Sequence, residues 1–204
     1  MATILIIDGS LGGSTGNTAE LLAVAEDRFR LDANVNYLEL CREPGLQRIL
    51  KLVEESDAFL FGTGTYWDSW GSPMQRFLEM TAHTEAQKLW VGKPAGAIVT
   101  AHAFGGKGVL SRLFGVLNIY GMLLPPHAGM VYTFAGHVAQ QLAPEHLRNE
   151  LWKTTDVSVV CDNILEALLG GKHWKTWSTN NGRSGEKWLD SYSVLADREE
   201  SSKM

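Results

Sequence analysis

Two hydrophobic periods alternate along this chain. Ile4-Leu5-Ile6-Ile7 is a nearly continuous apolar run, the pattern of a strand buried on both faces of a parallel sheet. A Gly/Ser/Thr stretch follows, and then Leu21, Leu22, Val24, Ala25 and Phe29 recur at near-helical spacing. Residues 35–40 alternate and predict a second strand nearer an edge, and Pro44 opens a helix through Ile49, Leu50 and Val53 that ends near Ser56-Asp57. Residues 58–63 predict a third strand. The helix after it starts near Ser72-Pro73, where proline is tolerated because its missing N–H would be unpaired anyway. Residues 95–100 predict a fourth strand, and a long amphipathic helix is expected over 109–124, stopped by Pro125-Pro126. Residues 129–133 predict a fifth strand, and 156–169 a last helix ended by Gly170-Gly171. Five alternations of strand and helix mean an α/β protein with right-handed crossovers. Five strands with no sixth favour a parallel sheet of order 2-1-3-4-5 between two helical layers.

Composition narrows the class. A chain of 204 residues, 45% apolar and 20% charged, buries a core without disulfides or metals. After Gly171 the residues turn polar, with Trp174, Trp177 and Trp188 among them, so the expected division is a domain at 1–171 and an appended tail at 172–204. The net charge of −5 argues against nucleic-acid and anionic-membrane partners, which need clustered Lys and Arg. Cys41 and Cys161 form no C-x-x-C, which excludes a zinc ribbon and a disulfide scaffold. The start of the chain lacks a basic signal-peptide region, and the apolar region 113–134 is broken by Asn118, Pro125, Pro126 and His127. A cytoplasmic setting without membrane insertion is the expectation. His83, His127, His137, His146 and His173 show no metal-ligand spacing, and no metal is expected.

In an open parallel sheet, ligands sit at the carboxyl ends of the strands where strand order reverses. With order 2-1-3-4-5, the loops leaving strands 1, 3 and 4 become neighbours, and these are the three unusual loops of the chain. The first, 9–18, joins a strand to a helix N-terminus and carries Ser10, Ser14, Thr15 and Thr18 but no Lys or Arg. A Walker loop would need Gly at 11 and Lys at 17, where Leu11 and Asn17 stand, and no G-x-G-x-x-G is present. What remains is either a neutral cradle for a monoester phosphate or a Gly/Ser turn capping a helix. The second loop, 62–73, places Tyr66 and Trp67 side by side, a pair able to stack on a flat heterocycle. The third, 100–108, is small-residue-rich and allows close backbone approach. His102 within it is either a donor to a bound ligand's oxygen or a solvent-facing loop histidine, and it is the one candidate catalytic side chain.

Three ordered motifs carry a family resemblance. Gly9-Ser10 with Gly16-Asn17-Thr18-Ala19 resembles the phosphate loop of the flavodoxin-like NAD(P)H-dependent FMN and quinone reductases. Gly64-Thr65-Tyr66-Trp67 with Gly71-Ser72-Pro73 is similar to their isoalloxazine loop. Residues 101–108 with the following Leu-rich helix are similar to their third flavin loop. The resemblance covers roughly 3–170, without the proline common where Gly64 stands or the basic residue common at Gly12 or Gly13.

The resemblance implies a flavodoxin-like three-layer fold and non-covalent FMN. Ser10, Thr15, Gly16, Asn17 and Thr18 would hold the phosphate, with the Thr18 hydroxyl facing it. Thr65, Tyr66 and Trp67 would border the ring, and Thr100, His102, Gly105 and Gly106 would close its other edge. The implied activity is an oxidoreductase with NAD(P)H as co-substrate and a small-molecule acceptor of the quinone, flavin or nitroaromatic type. An electron-transfer or flavin-binding module without its own NAD(P)H activity is the alternative. The apolar fourth helix and the seven Trp predict a homodimer or homotetramer.

Overall fold

The computed structural model describes residues 1–144, 148 and 151–177. Five parallel strands, β1 (Thr3–Asp8), β2 (Asn34–Glu39), β3 (Ala58–Gly64), β4 (Ala95–Ala101) and β5 (Gly129–Thr133), form one sheet in the order β2-β1-β3-β4-β5. This is the flavodoxin-like order. Burial explains the patterns read from sequence. Ile4–Ile7 and the whole of β3 lie inside, whereas edge strand β2 is mostly half-buried.

Among the described residues the α-helices are α1 (Asn17–Phe29), α2 (Leu46–Glu54), α3 (Ser72–Thr81), α4 (Gly106–Ile119), α5 (Phe134–Leu142) and α6 (Val157–Leu168). The chain moves leftward from β1 to β2 and rightward thereafter. Right-handed crossovers therefore put α1 on one face of the sheet and α2–α4 on the other. The two cores follow this division. Ile4, Ile6, Leu60 and Ile98 pack with Leu21, Leu22 and Phe29 of α1 and Val160 and Ile164 of α6. Leu5, Ile7, Phe59 and Phe61 pack with Ile49, Phe77 and Leu113 of the opposite layer. Trp90 anchors that second core, fully buried, edge-on to Phe77 and Tyr120, and donating Nε1–H to Thr84 Oγ1 at 2.9 Å.

Two helices differ from the sequence reading. α4 starts at Gly106 and ends at Ile119, five residues short of the expected stop at the prolines. Gly121, at φ +88°, turns the chain, and Leu123 then pairs with the segment before β4, accepting from Ala95 N–H at 2.8 Å and donating to Lys93 C=O at 2.9 Å. α5 has no counterpart in the sequence reading. Thr133 caps it, accepting from Gly136 N–H at 2.9 Å.

Cys41 and Cys161 are free thiols. Residues 172–177 lie against the body, where Asn163 donates to Pro126 and Lys175 carbonyls and accepts from Lys175 N–H at 2.7 Å. The remainder of the expected tail, with Trp188, lies outside the described residues, as does His146. No described helix is long and apolar enough to cross a membrane.

Candidate functional site

Strand order reverses between β1 and β3, so the loops leaving β1, β3 and β4 meet at one end of the sheet. The first loop leaves β1 through Gly9, whose N–H donates to Gly62 C=O at 2.8 Å, fixing it beside β3. Ser10 N–H then donates to Asp8 Oδ1 at 2.9 Å. A tight 3-10 turn over Gly13–Thr15 follows, with Gly13 at φ +47°, where an added Cβ would run into the Glu39 carboxylate and Cys41 Sγ. Helix α1 starts on Gly16, an N-cap with no side chain, so its first-turn N–H groups carry no side-chain cap.

The second loop folds as a tight turn in which Tyr66 and Ser69 exchange backbone hydrogen bonds at 2.7 and 2.9 Å. Its central residues, Trp67 and Asp68, both take positive φ (49° and 57°), the type I′ pattern. The Tyr66 ring lies back over Gly64 and Gly71, and its hydroxyl accepts from Leu11 N–H of the first loop at 3.4 Å. In the third loop Gly105 caps α4 at φ +83°, packed against the Asp68 carboxylate, while Arg112 of α4 holds the Asp68 carbonyl.

These loops border a cavity of about 530 Å³. Asn17 and Glu20 of α1 form one wall, Gly64, Thr65 and Tyr66 the second, and Thr100, Ala101 and His102 the third. Tyr132, Phe134 and His137, from β5 and α5, close the far side. The His102 and Phe134 rings lie 5.8 Å apart across the mouth. Tyr132 Oη and His137 Nδ1 are hydrogen-bonded at 2.8 Å, and burial, followed by the Asp156 and Glu20 carboxylates, raises the tyrosine's pKa.

The cavity thus brings together Asn17, Thr65, Tyr66, Thr100 and His102 of the sequence-predicted residues. Ser10 lies beneath the first loop, 2% exposed, and its Oγ has no hydrogen-bond partner. Thr65 Oγ1 is likewise buried without a partner. An unpaired buried hydroxyl costs about 1–3 kcal/mol, so the two at the ends of β1 and β3 are suited to receive a polar atom of a ligand.

Other predicted residues are placed differently. The Thr18 hydroxyl does not face the loop; it is buried and bonded to Thr100 Oγ1 at 2.7 Å. Thr15 Oγ1 donates to Gly12 C=O at 2.9 Å, closing the 3-10 turn, and Gly16 N–H donates to Gly13 C=O. Trp67 stands fully exposed at the tip of its turn, outside the cavity wall, because the left-handed backbone aims it at solvent. Gly106 is buried against Val131, whose Cγ1 would sit 2.5 Å from an added Cβ, so its small size serves packing. Glu20, Tyr132, Phe134 and His137 were not singled out as site residues by sequence reasoning. A tyrosine one residue before the end of β5 and five before a histidine is the available signal. Among the described residues no cluster of His, Cys, Asp and Glu could hold a metal ion.

The sequence model of the NADPH-dependent FMN reductase family matches residues 2–136. No curated protein matches the chain significantly. Among solved structures, RosB, determined with bound 8-demethyl-8-formylriboflavin-5'-phosphate, aligns over 98% of this chain and 88% of its own at 14% identity, with a TM-score of 0.68. The flavoenzyme NAD(P)H:(acceptor) oxidoreductase FerB of Paracoccus denitrificans aligns over 82% of this chain and 99% of its own at 20% identity and a TM-score of 0.61. The Flv1 flavodiiron core of Synechocystis sp. PCC6803 aligns over 84% of this chain at 16% identity and a TM-score of 0.59, and this chain spans 37% of that longer protein. At these identities the structures share the fold.

Proposed function

Because this chain belongs to the NADPH-dependent FMN reductase family, we propose that it passes electrons from NAD(P)H through FMN to a small-molecule acceptor of the quinone, flavin or nitroaromatic type. The carrying observation is the pair of buried hydroxyls without partners, Ser10 Oγ and Thr65 Oγ1, one at each strand flanking the reversal of the sheet. They fit the two ends of FMN. Ser10, with the uncapped first-turn N–H groups of α1, would take the phosphate, and Thr65, Tyr66, Thr100 and His102 would border the ring. When bound, FMN supplies the hydride chemistry. The chain's own residues bind and orient: Thr65 N–H is committed to Thr100 C=O at 2.7 Å, which fixes the two ring-side loops relative to each other. His102, exposed at the cavity mouth, would donate to an acceptor oxygen. FerB, named as an NAD(P)H:(acceptor) oxidoreductase, performs this class of reaction on the same fold, which supports the reading.

The setting proposed is cytoplasmic, with no nucleic-acid partner. A homodimer or homotetramer is proposed on the exposed apolar side chains Val91, Ile119 and Leu123 around the Gly121 turn, and sedimentation at working concentration tests it.

The test of function is flavin binding followed by turnover. Purified protein titrated with FMN quenches flavin fluorescence and then oxidises NAD(P)H in the presence of a quinone. Ser10→Ala and Thr65→Ala each weaken FMN by on the order of tenfold or more, each tenfold being about 1.4 kcal/mol. A chain that leaves FMN fluorescence unchanged is not a flavoprotein, and one that binds FMN without oxidising NAD(P)H is a carrier.

A further inference from the structure

The first loop is largely self-satisfied. Of its N–H groups, Ser10 donates to Asp8 Oδ1 at 2.9 Å, Leu11 to Tyr66 Oη at 3.4 Å, Ser14 to Glu39 Oε1 at 2.8 Å, Thr15 to Gly12 C=O at 3.2 Å and Gly16 to Gly13 C=O at 2.9 Å. Two of these acceptors are carboxylates. The loop and the first turn of α1 carry no Lys or Arg. Asp8 is fully buried, and its other oxygen accepts from Tyr37 Oη–H at 3.1 Å.

Glu39 reaches the loop from the end of β2 because Gly13 has no side chain. Cys41 Sγ–H points to the same Glu39 oxygen at 3.7 Å, and Arg42 pairs with the other oxygen from the exposed side. The loop therefore holds a protein anion on one of the amides that an anion-binding loop offers to its ligand.

Resting on the flavin reading above, we propose that Glu39 is a built-in competitor of the cofactor phosphate. The site accordingly selects the flavin through its ring and discriminates little between FMN and riboflavin. A phosphate entering beside Ser10, whose Oγ is the unpartnered buried hydroxyl of the loop, meets the field of Glu39 and Asp8, with Arg42 paired to Glu39 as a counter-charge. Riboflavin, which ends in a hydroxyl, meets no such repulsion and can still bond Ser10. Glu39 is thus a specificity-determining residue that sets how tightly a phosphorylated flavin is retained.

The experiment is a fluorescence titration of the apoprotein with FMN and with riboflavin, on the parent chain, Glu39→Gln and Arg42→Ala. Glutamine keeps an oxygen acceptor for Ser14 N–H and removes the charge. In the parent, the two affinities fall within about tenfold of each other. Glu39→Gln tightens FMN by about tenfold or more and leaves riboflavin unchanged, which also shows that the variant is folded. Arg42→Ala, which unmasks the carboxylate, weakens FMN and leaves riboflavin unchanged. If Glu39→Gln binds neither flavin, the Arg42→Ala result decides. A parent preference for FMN above tenfold, a smaller gain in Glu39→Gln, or equal shifts for both flavins overturns the proposal while leaving the flavin reading standing. A parent that binds neither flavin overturns both.

Discussion

Thr18 and Thr100 meet hydroxyl to hydroxyl at 2.7 Å, joining the first turn of α1 to the carboxyl end of β4 across the floor of the site. The bond changes what Thr18 can report. Thr18 is 2% exposed, so Thr18→Glu would bury a carboxylate beside Thr100 and unfold the region before any phosphate repulsion could be measured. Thr18→Val keeps the shape and removes the bond. It should cost about 1 kcal/mol by urea denaturation, the net worth of one such hydrogen bond. FMN affinity should stay within a few-fold of the parent. A large loss of FMN with unchanged stability would return Thr18 to the phosphate site.

What the sequence disclosed and what it concealed separate along physical lines. Strands β1, β3 and β4 were legible because burial on both faces leaves unbroken apolar runs, and their order followed from the alternation with helices. The end of α4 was not legible, because Gly121 reads as one more small residue until its φ of +88° is known. The near half of the site was legible as three loops. The far half was not, since Glu20, Tyr132 and His137 reach one cavity only through the pairing of β4 with β5 and the seating of α1 across the sheet. Trp67 and Thr18 show a second limit: residue type and loop position do not give the direction of a side chain.

Trp67 holds a left-handed backbone at φ 49° while fully exposed, an expensive placement for a bulky residue. The left-handed region costs an ordinary residue roughly 1–2 kcal/mol and costs glycine almost nothing. Trp67→Gly should therefore raise stability by about 1 kcal/mol in urea denaturation. If the indole closes over a flat acceptor, kcat/KM for a quinone falls in the same variant. A gain in stability with unchanged kcat/KM would leave the tryptophan no part in turnover.

Asn163 is fully buried and ties the segment after α6 to the body. Its Nδ2 donates to Pro126 and Lys175 carbonyls at 2.8 and 3.0 Å, and its Oδ1 accepts from Lys175 N–H at 2.7 Å. Trp177 adds to the anchorage, donating to Asp156 C=O at 3.1 Å and lying edge-on to Trp152 and His127. Asn163→Ala leaves the Pro126 and Lys175 groups without these partners and should cost about 1–3 kcal/mol. It should also loosen the backbone around Lys172 and Lys175, whose side chains are already exposed, so that limited trypsin proteolysis trims the chain there faster than in the parent. Equal cleavage rates would mean that the segment is held by other contacts.

Glu39 also predicts the acid limb of stability. The hydrogen bond from Ser14 N–H, with Arg42 beside it, outweighs burial and holds the carboxyl below its ordinary range. The folded pKa thus lies below the unfolded one. A depressed carboxyl contributes stability that is fully present above the unfolded pKa and is lost as pH falls through the folded value. In Glu39→Gln this contribution is absent at every pH. The urea midpoints of parent and variant should therefore differ most at neutral pH and draw together as pH falls below the ordinary carboxylate range. At neutral pH the parent should be the more stable, because glutamine keeps the oxygen facing Ser14 but not the charge facing Arg42. Denaturation series from neutral to strongly acidic pH measure this. A difference that stays constant across that range would mean that the Glu39 charge adds nothing to the fold.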